Sequence, residues 1–158
     1  MIDKKLIIND LVARLQKELK EVEEAVASAR ELATHSESKQ EGKYDTRSIE
    51  AGYLAGAQAK RVEELKLDIQ MLEDLDIESK ADQLQLGSLG LIRHNKAEKF
   101  YFLSSTAGGT IVDVNGQGIL IISVFSPIGD AAIGMKVGDS FEVETPRELR
   151  EYEVLQIY

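Results

Sequence analysis

Residues 11–33 read LVARLQKELKEVEEAVASARELA. Leu11, Leu15, Leu19, Val22, Val26, Ala29 and Ala33 recur at spacings of three and four, which lines them up along one face of an α-helix. Charged side chains fill the other face. A second stripe runs through Val62, Leu65, Ile69 and Leu72, and the same reading carries it back through Gly56, Tyr53 and Ile49. Between the stripes, residues 35–43 are polar, show no apolar periodicity and include Gly42. Each stripe is narrow and suits a single partner. The expectation is therefore an antiparallel α-helical coiled-coil hairpin over 1–76, projecting from the rest, with its tip near 35–45. A hairpin folded compactly against the remaining chain is the alternative. The small residues Ala29, Ala33, Ala51, Gly52, Ala55 and Gly56 are expected to let the two helices approach closely near the tip.

Composition changes near residue 80. Both prolines and nine of the twelve glycines follow it. Residues 77–86 read as a linker. From 87 to 158 the runs shorten and become rich in β-branched and aromatic residues bounded by glycine and polar turns, which predicts strands. These fall at 89–92, 99–103, 109–114, 118–125, 140–144 and 152–157. Asn115-Gly116 marks a tight turn, and Gly129 to Gly134 suits a short helix. The fold class is α+β, a helical hairpin followed by a small β-rich domain whose single twisted sheet packs on that short helix.

The chain of 158 residues is 43% hydrophobic and contains no cysteine and no tryptophan. Disulfides, thiolate metal sites and cysteine nucleophiles are excluded. No apolar run approaches the roughly 20 residues of a membrane helix, and the first residues are amphipathic, so a cytoplasmic protein without a membrane partner is expected. The formal net charge is −9. A free-standing nucleic-acid binder carries a basic face, so this chain is expected to meet nucleic acid only indirectly, through a protein partner or a metal ion.

Phosphate-binding, zinc, nucleophile-elbow and dinucleotide motifs are all missing. His35 and His94 have no evident partners and read as surface residues. Glu37, Glu41 and Asp45 lie four apart, a spacing that puts them on one face of a helix. Mg²⁺ takes such oxygen ligands, often one or two carboxylates at a time. Lys39 and Lys43 would equally neutralise a solvated turn, and chemistry alone leaves both readings open. No stably bound cofactor is expected.

Toward the carboxyl end, Ser126-Pro127-Ile128, Ile133-Gly134-Met135-Lys136, Gly138-Asp139, Val143-Glu144-Thr145-Pro146 and Tyr152-Glu153-Val154 follow one another in an order that resembles the Gre (GreA/GreB) family of bacterial transcript-cleavage factors. Leu86-Gly87-Ser88 sits where that family's globular domain begins, and the order of hairpin then β domain extends the resemblance along most of the chain. The resemblance implies an FK506-binding-protein-like β domain that docks on bacterial RNA polymerase at its secondary channel, and a coiled coil that enters the channel. It also implies tip acids that help hold an Mg²⁺ ion in the polymerase active site, where backtracked RNA is hydrolysed. Such a protein is not itself an enzyme; it stimulates the polymerase's own cleavage. Carried over residue by residue, it makes Glu37 and Glu41 the ion ligands, with Asp45 in reserve, and Phe125, Ser126, Pro127 and Ile128 the docking loop.

The tip departs from the family pattern. With Tyr44 as anchor, Gln40 stands where the family has its metal-binding Glu, and Glu41 is one place displaced, about 100° around a helix. A neutral amide is a poorer Mg²⁺ ligand. The alternative is therefore a secondary-channel regulator that binds polymerase without supporting cleavage. A prolyl isomerase, by fold analogy alone, and a purely structural coiled-coil adaptor are further readings. The scarcity of aromatics argues against the isomerase.

Overall fold

A computed structural model describes residues 2–38 and 46–158, and of residues 36–38 and 46–48 the backbone alone. The element order is α1 (Lys4–Ser38), α2 (Thr46–Glu73), β1 (Leu89–His94), β2 (Ala97–Ser104), β3 (Ile111–Val114), β4 (Gln117–Ser123), α3 (Pro127–Ala132), β5 (Ser140–Glu144) and β6 (Leu149–Ile157). A long helical hairpin is thus followed by a β-sheet domain. The chain divides into two units, Ala13–Gln70 and the combination of Met1–Val12 with Met71–Tyr158.

In the unit Ala13–Gln70, the α1 stripe faces inward as its spacing predicts. Leu15 and Val26 are buried, and Leu19, Val22, Ala29 and Ala33 are half-buried. From α2, Val62, Leu65 and Ile69 are buried. The Arg61 guanidinium donates to Glu18 Oε1 from Nη2 at 2.7 Å and from Nε at 3.1 Å. This hydrogen bond, more than the charge, raises the Arg61 pKa above its usual range. Both partners are largely exposed, so the pair contributes roughly 0.2–1 kcal/mol.

The first half of α2 does not follow the expected frame. Tyr53 is 78% exposed, Ile49 is 55% exposed, and Gly56 is exposed. The half-buried residues are Ala51, Ala55, Gln58 and Ala59, which continue back from Val62 at helical spacing. Two frames compete there, and the bulkier one loses because only small side chains occupy the seam. Gly52 and Gly56 have nothing within 4 Å of where a Cβ would sit, so neither serves close helix approach.

The second unit holds one six-stranded sheet in the order β3-β4-β2-β1-β6-β5. β2 and β4 pair in parallel, with Phe100 opposite Ile119 and Ser104 opposite Ser123. The other neighbours are antiparallel, with a bulge between Leu91 and Ile92 where β1 meets β6. Residues 101–104 of β2 are buried without alternation, as a central strand covered on both faces must be. One face carries Ile92, Tyr101, Leu103, Ile122, Phe141, Val143, Tyr152 and Val154, clustered with Leu84 and with Ala132 of α3. Burial raises the Tyr101 hydroxyl pKa. Asn115 and Gly116 have φ of 56° and 81°, the left-handed pair of a tight hairpin turn. The Gly116 amide donates to Asp113 Oδ1 at 2.8 Å.

Six strands occupy the expected places, with two changes around β4. It ends at Ser123 rather than Phe125, and α3 begins at Pro127 rather than Gly129. Ser126 supplies the reason. Its hydroxyl accepts from the Gly129 amide at 3.2 Å, and Pro127 follows in the first turn, where a missing N–H costs nothing.

Before β1 the chain is pinned by short polar contacts. Asp76 Oδ1 accepts from the amides of Glu78 and Ser79, both at 3.1 Å, while the Ser79 hydroxyl donates to Asp76 Oδ2. The Ser79 hydrogen bonds hold the Asp76 carboxyl below its usual pKa. Gly87 has φ +84°, and a Cβ there would lie 2.4 Å from the Asp76 carbonyl oxygen. Lys4 Nζ donates to the carbonyls of Tyr158 at 3.2 Å and Gly87 at 3.5 Å. Partial burial lowers its pKa, with Asp76 opposing.

Two glycine substitutions are expected to move stability in opposite directions. Gly87→Ala meets both an unfavourable φ and a backbone clash, so thermal or urea unfolding should show a loss of about 2 kcal/mol or more. Gly52→Ala lies on an exposed helical face with open space and should gain about 0.5–1 kcal/mol. Ser126→Ala removes the α3 cap and should cost about 1 kcal/mol in the same measurement.

Candidate functional site

The connection from β4 to α3 is the most tightly tied turn of the β domain that also exposes a large apolar side chain. The Ser123 carbonyl accepts from the Ser126 amide at 2.9 Å and from the Ser126 hydroxyl at 2.6 Å. The Phe125 amide donates to Ser123 Oγ at 3.2 Å, and the Val124 amide donates to the Ser104 carbonyl at 2.9 Å. Gly129 presses against this turn. A Cβ on it would sit 2.0 Å from the Ser123 carbonyl oxygen, so no other residue fits without moving the backbone.

The four residues expected to form a docking loop therefore have different surroundings. Phe125 is 80% exposed. Pro127 is exposed in the first turn of α3. Ser126 is a helix cap, and Ile128 is a partly buried neighbour of the core cluster. Complete burial of a phenylalanine side chain contributes about 1.5–3 kcal/mol; Phe125 forgoes most of that within its own fold.

A second loop lies beside this turn. A Cβ on Gly108 would come within 3.0 Å of the Ser123 Cβ. The Thr106 amide donates to Ser104 Oγ at 3.3 Å. Residues 105–107 and Thr110 are half-buried, and Gly108 and Gly109 are exposed. Neither 100–112 nor 114–129 contains a single Asp, Glu, Lys or Arg, although 30% of the chain is charged. The β4–α3 turn and its neighbour thus form an uncharged surface with an aromatic ring standing out of it. Sequence reasoning took the turn alone; the neighbouring loop is brought in by the parallel pairing of β2 with β4, which no local pattern announces.

Of the tip residues, Glu37 falls within α1, whose backbone alone is described at that point, while Gln40, Glu41 and Asp45 lie outside the described residues. Among the described residues no three histidine or carboxylate side chains gather as a metal site. Within them, also, no helix is long and apolar enough to cross a membrane.

His94 has partners that its sequence position did not reveal. Its ring stacks on Tyr152 at 4.7 Å, and Tyr152 stacks on Phe141 at 5.3 Å. Nδ1 donates to the Glu151 carbonyl at 2.9 Å, and Nε2 lies 3.0 Å from the Asn95 amide nitrogen. Arg93 beside it bridges Glu98 at 2.9 Å and Glu153 at 3.0 Å, and these acids, Glu98 first, raise its pKa. Each of these contacts joins residues on paired strands. This corner is saturated with internal contacts and serves the sheet.

Among solved structures, the GreA factor homolog 1 (Gfh1) protein of Thermus thermophilus is 24% identical, with a TM-score of 0.40 over 93% of this chain and 94% of that one. The transcription elongation factor GreA of Rickettsia canadensis (strain McKiel) is 29% identical over 142 residues, which are 89% of this chain and 80% of that protein. The transcription elongation factor GreA of Syntrophus aciditrophicus (strain SB) is 54% identical over a shorter stretch of 37 residues, 23% of each chain. Residues 112–158 match the family model of the carboxyl-terminal domain of transcription elongation factors GreA/GreB. That match takes in the β4–α3 turn, and together with the relatives' reach across the hairpin it makes the chain GreA/GreB-like.

Proposed function

We propose that this protein is a transcription elongation factor that binds bacterial RNA polymerase, inserts its coiled coil into the secondary channel and stimulates cleavage of backtracked RNA. The observation that carries the reading is the family match over 112–158, which includes the tied turn bearing Phe125, Ser126, Pro127 and Ile128. In this reading that turn docks on the polymerase. Glu37 and Glu41, with Asp45 in reserve, bring carboxylate oxygens and negative charge to an Mg²⁺ ion within the polymerase complex. There the ion supplies activation of water and neutralisation of developing charge in phosphodiester hydrolysis. The protein's own contribution is delivery and orientation of ligands; the bond-breaking machinery belongs to the polymerase, so the chain is not itself an enzyme. Contact with nucleic acid is then indirect, in keeping with a net charge of −9.

A second reading has one specific observation in its favour. Gln40 stands where the family carries a metal-binding Glu, and an amide binds Mg²⁺ more weakly than a carboxylate. A protein with this tip would occupy the channel and regulate polymerase without supporting cleavage.

Both readings are tested with a backtracked elongation complex built from the cognate polymerase, a labelled transcript and Mg²⁺. The first predicts transcript shortening that falls at least about tenfold with the double variant Glu37→Ala, Glu41→Ala, a loss of about 1.4 kcal/mol or more in transition-state stabilisation. The second predicts binding with no shortening by either protein. Absence of binding would refute both.

A further inference from the structure

The turn between β4 and α3 leaves Phe125 80% exposed while its backbone is held by hydrogen bonds to Ser123, Ser104 and Ser126. A ring on a fixed backbone loses little freedom when it is captured, which is the property of a binding anchor. The surface around it is equally distinctive. The neighbouring 104–110 loop touches the turn through Gly108 and the Ser104 carbonyl. Neither segment carries a charge, in a chain with 47 charged residues by its count of 19 basic and 28 acidic. A charged partner surface placed here would lose hydration and gain no counter-charge. An uncharged surface with an open apolar socket would lose nothing comparable and would cover the ring.

From this we infer that Phe125 and the 104–110 loop form one composite docking surface, and that its occupant is an uncharged apolar socket on RNA polymerase, engaged with little dependence on salt. The inference rests on the polymerase reading given above and adds the chemistry of the contact. It assigns Phe125 as the anchor, gives the 104–110 loop a role in binding, and leaves Ser126 and Gly129 as positioning residues that hold the turn.

The experiment measures affinity of the full chain for the cognate core polymerase at about 50 mM and about 500 mM salt, conditions that change the screening length severalfold. The unaltered protein is expected to change affinity less than about threefold between the two. Phe125→Ala should weaken binding about tenfold or more at both, and Phe125→Leu should lose much less, because it keeps an apolar side chain. Ser105→Glu, which puts a charge on the second loop, should also weaken binding about tenfold, whereas Gln117→Glu on exposed β4 should leave it unchanged. Thermal melting of each variant separates lost binding from lost folding; Phe125→Ala, at an exposed position, should melt with the parent.

Undiminished binding by Phe125→Ala, or an affinity that collapses with salt, overturns this inference and leaves the polymerase reading standing. Failure of the unaltered protein to bind polymerase overturns both. Phe125-dependent self-association in sedimentation would assign the surface to a second copy of the chain and likewise overturn the inference.

Discussion

The carbonyl oxygen of Ser123 has two donors from one residue, the amide and the hydroxyl of Ser126, and the bare Cα of Gly129 packed against it. These contacts end β4, start α3 and fix the direction in which Phe125 points. Any side chain at 129 would displace the carbonyl, and with it the donors that define the turn. The same strand holds the core: β4 pairs with β2 in parallel, and Ile122 joins the cluster that α3 covers through Ala132. A functional surface and the packing beneath it thus share one set of atoms, so the surface inherits the rigidity of the core.

The hairpin works by a different rule. Its seam is large and aliphatic at Leu15, Val62 and Leu65, and small at Ala51, Ala55 and Ala59. One buried group there, Gln58 Oε1, finds no hydrogen-bond partner, which sets a cost against the helix pairing. The outward face of α2 carries Ile49 and Tyr53, whose exposure gives the local fold little stabilisation.

Much of this was legible because the signals are local. The α1 stripe is a clean helical period, and the strands announce themselves by β-branched runs between glycines. Asn115-Gly116 behaves as its residue types require. The errors also have local causes. Alanine contributes so little to a hydropathy pattern that Ile49 and Tyr53 outweighed Ala51 and Ala55, and the wrong face of α2 was read as the inner one. Ser126-Pro127 carries a recognisable cap and first-turn signature, but a longer strand through Phe125 masked it. Strand order, the parallel β2–β4 pair, the His94–Tyr152 stack and the approach of the 104–110 loop join residues far apart in sequence, and no short pattern encodes them. For the tip acids the sequence offers a spacing and a resemblance, and nothing of their geometry.

The contact of Lys4 with the carbonyl of Tyr158 spans 154 positions. The β-sheet unit is therefore drawn from both sides of the Ala13–Gln70 hairpin, and it cannot close until β6 has been made. Loop closure across so many residues is slow and entropically costly. The hairpin has only local pairings to make and can form first. Once it does, the chain before residue 13 and the chain after residue 70 are no longer separated by a flexible loop. The helical element thereby acts during synthesis as a chain-shortening device, which assembles the β-sheet unit as surely as it serves any partner afterwards.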